Sequence, residues 1–327
     1  MRQTTRIFTL CALGLAVGVG CTPPTNDGDI DAYRDVLPDD RVQISMNADY
    51  GGARDLGEMA EGYLVTAQVT NDVNGLIGGV LSIVDAVTDY EPSWSAEEEA
   101  TAVWGPFSDA LDPAETVLVV HHDEVQDLYT WTIAQRLKGS TDWDDFDSLV
   151  IGQVEGDATE DDSEGWFYLD FDVASQYDPT SDTTGLFASA YDIDPDGVSA
   201  TAAFEDFMPE GEEGPINAFY AYEQQNGAGG SMDLVFEGDI DDDPTSLAET
   251  HAIRTRWNED GSGRTDSGVG GGDYGEDTVL GYQSECWDPA PDFGRTFHAA
   301  SWDLSSIEGD PSSCVFSDED FSDEAGE

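Results

Sequence analysis

Asp192, Asp194 and Asp196 stand at alternate positions and are followed by Gly197, so this segment could offer three carboxylates to one cation. The spacing matches the first half of a calcium-binding loop, where acidic residues occupy positions one, three and five and glycine occupies position six. Such a loop has a bidentate glutamate at position twelve, but this chain has Ala203 there. Because the flanks alternate like strands, a hairpin turn is the favoured interpretation. Weak calcium binding by the three aspartates is the alternative, and no other cofactor is expected.

His121 and His122 lie at the end of a predicted strand, beside Asp123 and Glu124, and could offer imidazole and carboxylate ligands to zinc. Adjacent strand residues point to opposite faces, so both histidines can hardly reach one ion, and a polar turn is favoured. The chain has no Gly-x-Ser-x-Gly nucleophile elbow. Its carboxylates are too numerous for a glycosidase-like pair to be singled out. No catalytic residue is therefore assigned, and an enzyme is the less favoured interpretation.

The N-terminus has the parts of an export signal. Arg2 and Arg6 give it a positive start, residues 7–20 are uncharged and mostly apolar, and Gly18-Val19-Gly20-Cys21 closes it with small residues. At about 1.5 Å per residue this run is too short to cross a hydrocarbon core of about 30 Å as a helix, so a permanent span is not expected. A plain secretory signal or a buried N-terminal helix remain as alternatives.

This segment resembles the signal peptide and lipobox of bacterial lipoproteins, with Gly18 where that family usually has leucine. The resemblance implies cleavage before Cys21 and attachment of palmitate-type acyl chains to that cysteine. In the family, an acidic residue directly after the cysteine tends to retain the protein in the inner membrane. Thr22 stands there instead, so the resemblance implies a lipid anchor in the outer membrane, facing the periplasm or the cell surface.

Cysteine use agrees with export. Cys11 would leave with the signal and Cys21 would be acylated, so Cys286 and Cys314 remain as one possible disulfide pair. Closing that separation would stabilise the fold by about 3 to 4 kcal/mol on the loop-entropy model. Two free, buried thiols are the alternative.

Acidic residues dominate the composition. The chain has 71 Asp and Glu residues against 11 Lys and Arg residues, a net charge of −60, which becomes −62 once the two arginines of the signal are removed. Such a surface repels nucleic acid and anionic lipid head groups, and it attracts cations and basic proteins. The charge indicates either a protein that works in salty water, where screening weakens self-repulsion, or acids that simply keep an exposed protein soluble.

Two segments lie between the signal and the predicted sheet. Residues 21–40, rich in Pro, Gly, Asp and Asn, are predicted to be the lipidated cysteine and a flexible acidic tether. In residues 56–88, apolar side chains recur every three or four residues, which predicts one helix or two in line. Gly75, Gly78 and Gly79 weaken this helix by up to about 1 kcal/mol each, so it must gain stability by packing. The predicted apolar stripe consists of Met59, Val65, Val69, Val73, Leu76, Ile77, Val80, Leu81, Val84 and Val87.

After residue 90 the hydrophobic period changes to two, as in Phe167, Leu169, Phe171 and Val173 on one predicted face. Short turns of the Pro-Asp-Gly type join the segments, and these are too short for parallel crossovers. About thirteen strands exceed what an open twisted sheet usually holds. The candidate strands are 100–107, 116–122, 128–137, 148–155, 165–174, 185–192, 198–207, 216–223, 231–238, 249–257, 263–270, 278–287 and 296–302.

The predicted fold is therefore mostly β, a long antiparallel meander curled into a half-barrel, barrel or sandwich, with one N-terminal helix or helix pair packed on it. Residues 1–20 form the signal, residues 41–316 a single β-rich domain, and residues 317–327 an acidic tail.

A set of motifs is spread over most of the mature chain: Trp104-Gly105-Pro106, Trp257, residues 261–266, residues 271–273, residues 284–288 and Cys314. In these motifs the chain resembles acidic bacterial lipoproteins of unknown function. The resemblance implies the architecture and adds no catalytic residue, because that family has no assigned activity.

Three functions remain open. The favoured one is a non-enzymatic lipoprotein of the cell envelope with a binding or structural role, anchored in the membrane and binding the envelope or a protein partner such as a basic protein. The second is a carrier of lipid or another apolar ligand in a half-barrel cavity, and the third is a hydrolase. A carrier would line its cavity with residues that otherwise pack an ordinary core, namely Phe167, Leu169, Phe171, Met232, Leu234 and Phe236.

Overall fold

The computed structural model describes residues 30–44, 59–96, 100–110, 112–155, 162–178, 180–209, 214–238, 247–275, 278–289, 292–301 and 303–317. These residues contain three α-helices and fifteen β-strands. The helices are α1 (Ile30–Asp35), α2 (Glu61–Thr88) and α3 (Phe171–Tyr177). The strands are β1 (Trp94–Ala96), β2 (Thr101–Phe107), β3 (Ala114–Asp123), β4 (Leu128–Leu137), β5 (Asp147–Glu155), β6 (Ser163–Asp170), β7 (Thr184–Asp194), β8 (Gly197–Met208), β9 (Ile216–Gln225), β10 (Gly229–Gly238), β11 (Glu249–Asn258), β12 (Gly263–Gly271), β13 (Val279–Trp287), β14 (Arg295–Ala300) and β15 (Asp303–Gly309).

All the described strands form one antiparallel sheet, in which each strand pairs with the next along the chain. The predicted mostly β meander is therefore confirmed, as a single open sheet and not a closed barrel or a pair of sheets. Strands β2 to β14 correspond to the thirteen predicted strands, and β1 and β15 extend the sheet at its two ends. The alternation behind the prediction is plain in β7, where Phe187 and Tyr191 are buried and Ala188 and Asp192 are exposed.

The prediction of the strand over residues 165–174 was wrong at its C-terminal end. The prediction continued it to Ala174, but β6 stops at Asp170 and α3 begins at the next residue. The Asp170 carboxylate accepts a hydrogen bond from the backbone N–H of Val173 at 3.0 Å, which caps the first turn of a helix. Phe171 and Val173 therefore leave the strand alternation.

Helix α2 covers the inner face of the sheet. Its C-terminal half buries Val73, Ile77, Val80, Leu81 and Val84, as the apolar spacing predicts. These side chains share one hydrophobic core with residues of β2 to β11. The helix contacts β2 near one edge of the sheet, and β12 and β13 near the other. At 28 residues it is about 42 Å long, enough to lie across most of that face.

The N-terminal half of α2 differs from the prediction. The helix begins at Glu61, whereas Met59 lies before it in a bridge to Gly294. Val65, predicted to lie in the buried stripe, is 40% exposed. The buried positions in this half are Gly62, Tyr63, Thr66, Ala67 and Thr70, several of them polar or small.

Hydrogen bonds to the sheet explain how this polar half is buried. The Thr66 hydroxyl lies 2.8 Å from the Thr255 hydroxyl on β11, which in turn lies 3.0 Å from the Thr265 hydroxyl on β12. Thr66 also donates to the backbone carbonyl of Gly62. Because each of these buried hydroxyls has a partner, their burial avoids the cost of an unsatisfied polar group.

Residues 30–40, which were predicted to belong to a flexible tether, are folded. Val36 and Leu37 are 3% and 5% exposed and belong to the main core. The Arg34 guanidinium donates to the backbone carbonyl of Tyr90 at 2.9 Å. Four residues beyond this segment, the backbone N–H of Ile44 donates to the side-chain carbonyl of Asn74 on α2 at 2.8 Å. The chain from residue 30 to residue 44 therefore packs against α2 and the sheet.

Glycines lie opposite large aromatic rings at four cross-strand positions of the inner face. At each pair, a Cβ on the glycine would overlap the ring of its partner. The missing side chain thus leaves the space that the ring fills, which explains why glycine interrupts otherwise good strands. The pairs are Gly152 with Trp131, Gly165 with Tyr191, Gly230 with Trp257, and Gly263 with Trp287.

Gly152→Ala and Gly75→Ala are expected to change stability in opposite directions. A methyl group at Gly152 would overlap the buried Trp131 ring, so the free energy of unfolding should fall by about 1 to 3 kcal/mol. Gly75 lies on the exposed side of α2 with no atom within 4 Å of a new Cβ. Alanine there should raise stability by up to about 1 kcal/mol. Chemical denaturation of both purified variants measures this, and a loss at Gly75 equal to that at Gly152 would contradict it.

Candidate binding surface

The outer face of the sheet is the face turned away from α2. On β6, Phe167 is 1% exposed and belongs to the core, so its neighbours Trp166 and Tyr168 point outward. Because the register between neighbouring strands is regular here, outward residues can be followed across the sheet in rows perpendicular to the strands.

Two neighbouring rows in the middle of the outer face carry no charge. We define them together as the neutral band. The first row consists of Ile151, Tyr168, Ala188, Ala203, Phe219 and Val235, on β5 to β10. The second row consists of Gln153, Trp166, Ala190, Thr201 and Ala221, on β5 to β9.

The neutral band exposes large apolar side chains. Phe219 is 49% exposed and Val235 is 40% exposed, and the two are direct cross-strand partners. The Trp166 and Tyr168 rings are stacked, with centroids 6.3 Å apart and planes 5° from parallel. Burial, and then the charge of Asp170, raise the pKa of Tyr168, so its phenol stays neutral. Since 25% of the chain is charged, eleven uncharged positions in one block mark a distinct surface.

Acidic residues border the neutral band on both sides, and we call them the carboxylate rows. On β6 the outward order is Glu164, Trp166, Tyr168 and Asp170, so this strand runs from an acid through two aromatic residues to a second acid. Strands β5, β7, β8 and β9 each supply an acid on one side of the band only, and together these acids form the two rows. One row contains Glu155, Glu164, Asp192 and Glu223, and the other contains Asp170, Glu205 and Glu237.

Beyond β9, the second row of the neutral band gives way to charged residues that form ion pairs with arginine. Asp233 on β10 lies 3.2 Å from the Arg254 guanidinium and 2.9 Å from that of Arg256. On β12, the Arg264 guanidinium lies 2.8 Å from the Asp266 carboxylate. These groups are only partly exposed, and the pairs cancel charge locally at that end of the surface.

The three aspartates of the predicted calcium segment lie at the hairpin between β7 and β8. The Asp194 carboxylate accepts hydrogen bonds from the backbone N–H groups of Asp196 at 2.7 Å and Gly197 at 2.9 Å, so this segment forms the turn that the sequence favoured. With Glu223, Asp192, Asp194 and Asp196 line an open depression of about 540 Å³.

The described residues contain no group of three His, Cys, Asp or Glu side chains arranged to hold one metal ion. The calcium alternative therefore gains no support from the geometry of Asp192, Asp194 and Asp196.

The two histidines point to opposite faces, as adjacent strand positions require. His121 Nδ1 lies 3.0 Å from the Thr101 hydroxyl on the outer face. His122 Nε2 lies 3.2 Å from the Asp127 carboxylate, and its ring stacks on Tyr129 with centroids 4.0 Å apart. The structure thus gives each histidine its own neighbours and does not bring them to one site.

The disulfide between Cys286 and Cys314 is present, with a Cα–Cα distance of 5.5 Å, so the predicted pairing is confirmed. Cys286 is 1% exposed on β13, and Cys314 lies just after a short 3₁₀ turn. Cys21 and the predicted acidic tail beyond Ser317 lie outside the described residues. No helix in the described part of the chain combines the length and apolar character needed to cross a membrane.

Sequence reasoning missed the neutral band. Part of the pattern is visible in the sequence of β6, where Trp166 and Tyr168 alternate with the inward Phe167 and Leu169. Joining them to Phe219 needs the strand register across β7 and β8, which the sequence of one strand does not contain.

The chain was compared with protein-family models, with curated proteins and with solved structures, and none of the three comparisons found a match.

Proposed function

We propose that this protein is a non-enzymatic, membrane-anchored lipoprotein of the cell envelope that binds a partner through the outer face of its sheet. The anchor is Cys21, and the place is the outer membrane, on its periplasmic or cell-surface side. The observation that carries the binding role is the neutral band, because exposed apolar surface with a polar border is typical of interaction sites. A sheet whose inner face is packed against α2 can present such a surface on its outer face.

The inner face is filled, which weighs against the carrier alternative. Phe167, Met232 and Leu234 would line a carrier cavity, but they are 1%, 0% and 8% exposed. They share the core with α2 side chains. Leu169, Phe171 and Phe236 pack against the same core and are partly buried. A carrier would therefore have to move α2 before it could take up a ligand. No arrangement among the described residues favours the third alternative, a hydrolase.

Cys21→Ala is expected to abolish incorporation of labelled palmitate and to release the protein from the membrane fraction. Several acyl chains hold firmly at about 0.8 kcal/mol per buried methylene, whereas a protein without them has no such anchor. Cys11→Ala is the matched control, because Cys11 lies in the signal and would be removed with it. Label that survives in Cys21→Ala, or disappears in Cys11→Ala, would contradict the lipoprotein proposal.

A further inference from the structure

We infer that the neutral band binds a cationic amphipathic segment of a partner protein, one with an apolar stripe flanked on both sides by Lys or Arg. This inference rests on the proposed binding function and assigns the chemistry of the partner. Three features carry it: the spacing between the carboxylate rows, the exposed apolar residues between them, and the net charge.

The first feature is the width of the surface. Alternate residues on a strand are about 6.8 Å apart, so the outward residues Glu164, Trp166, Tyr168 and Asp170 place the carboxylate rows about 20 Å apart. A helix with its side chains is about 10 to 12 Å wide. It fits between the rows, and long Lys or Arg side chains on its flanks can reach the carboxylates on either side.

The second feature is the length and character of the band. Strands β5 to β9 lie about 4.8 Å apart, so their part of the band runs for about 19 Å, the length of a helix of about 13 residues. Trp166, Tyr168 and Phe219 supply aromatic surface along it. Aromatic residues of this kind provide much of the binding energy at interfaces, and their faces also attract cations.

The third feature is the charge, which selects among possible occupants. A second copy of this chain would bring its own carboxylate rows against these, in a protein of net charge −60. An anionic lipid surface would be repelled for the same reason. A cationic segment is complementary to both rows at once, so it gains attraction during approach and in the complex.

A synthetic 18-residue helical peptide with a leucine stripe between two lysine flanks tests this inference on the full-length protein. A second peptide of identical composition, with lysine and leucine dispersed around the helix, is the control. Fluorescence anisotropy should show saturable one-to-one binding of the striped peptide, with an affinity at least about tenfold higher than that of the dispersed peptide. Equal affinities would mean that net charge alone attracts them, and would overturn the inference.

Phe219→Ser tests the location of binding. Phe219 is 49% exposed, so the change should leave the fold intact. It should lower the affinity for the striped peptide about tenfold. Val279→Ser is the matched control, because Val279 is 72% exposed on β13, away from the band. Glu164→Gln should weaken binding as well, and more at low than at high salt. Unchanged affinity in Phe219→Ser would overturn the inference.

Other occupants give other results in the same set of proteins. A dimer in sedimentation equilibrium that Phe219→Ser dissociates would assign the band to a second copy. Flotation with phosphatidylcholine vesicles that Phe219→Ser abolishes, in an unacylated Cys21→Ala background, would assign it to lipid. Either result would overturn the inference. Palmitate labelling is independent of these measurements, so failure of the anchor and failure of the partner chemistry can be told apart.

Discussion

Cys314→Ala is expected to lower the free energy of unfolding by about 2 to 5 kcal/mol, the usual loss for a native disulfide. The bridge joins two cysteines 28 residues apart, and the chain between them contains β14 and β15, the last two described strands of the open sheet. These strands pair irregularly, with register shifts on both sides of β14. The disulfide therefore holds an edge of the sheet where strand pairing is irregular. Thermal unfolding should shift down by roughly 5 to 15 °C.

The double variant Cys286→Ala with Cys314→Ala is the control for this prediction. It removes the bridge without leaving a free thiol on β13, and it should lose about as much stability as the single variant. Reduction of the wild-type protein should have the same effect. A melting temperature that all three leave unchanged would show that the edge strands need no covalent tie. Mass spectrometry that finds two alkylatable thiols in folded wild-type protein would remove the bridge itself.

Glu285→Ala is expected to cost about 2 to 4 kcal/mol, because Glu285 caps α2 from across the core. Glu285 is 1% exposed, and its carboxylate accepts a hydrogen bond from the backbone N–H of Gly62 at 2.5 Å. The N-cap residue Ala60 has no side chain that could do this. The Arg295 guanidinium lies 3.4 Å from the other carboxylate oxygen. Alanine would leave a buried N–H unsatisfied and remove a negative charge from the helix N-terminus.

Glu285→Gln separates the two contributions. The amide keeps an oxygen that can accept from Gly62 but loses the charge, so it should cost only about 1 kcal/mol. Arg295 also pairs with Glu308 at 3.4 Å, so it keeps a carboxylate in either variant. Denaturant unfolding gives both values. Alanine and glutamine variants that are equally stable would show that the hydrogen bond to Gly62 does not anchor α2.

The sequence predicted α2 best where its burial depends on apolar spacing. Ile77, Val80 and Val84 follow the helical period and lie in the core. The period fails near the N-terminus of the helix because burial there depends on polar partners. Thr66 is buried by a hydrogen bond to Thr255, a residue 189 positions away, and no local pattern contains that partner.

The strands were also predictable from a local pattern, because the alternation of buried and exposed residues is visible within each strand. The ends of the strands were not predictable in this way. Asp170 reads equally well as an outward strand residue and as a helix cap, and only the packing of α3 against β5 and β7 decides between them. The folded segment at Val36 and Leu37 was missed because two apolar residues among many polar ones give no period. The disulfide was predictable because the expected loss of Cys11 with the signal and the expected acylation of Cys21 left a single pair.

The central claim is that the space between α2 and the sheet is filled by core side chains, which leaves the outer face for the proposed binding role. Titration with a fluorescent fatty-acid analogue measures this most directly, because such a probe brightens when it enters an apolar cavity. Phe219→Ser serves as the background that removes contact with the neutral band. We expect no saturable one-to-one binding of the probe by the wild-type protein or by Phe219→Ser. Phe167, Met232 and the side chains of α2 fill the space between the helix and the inner face of the sheet. Stoichiometric binding that Phe219→Ser leaves intact would contradict the claim and favour a carrier.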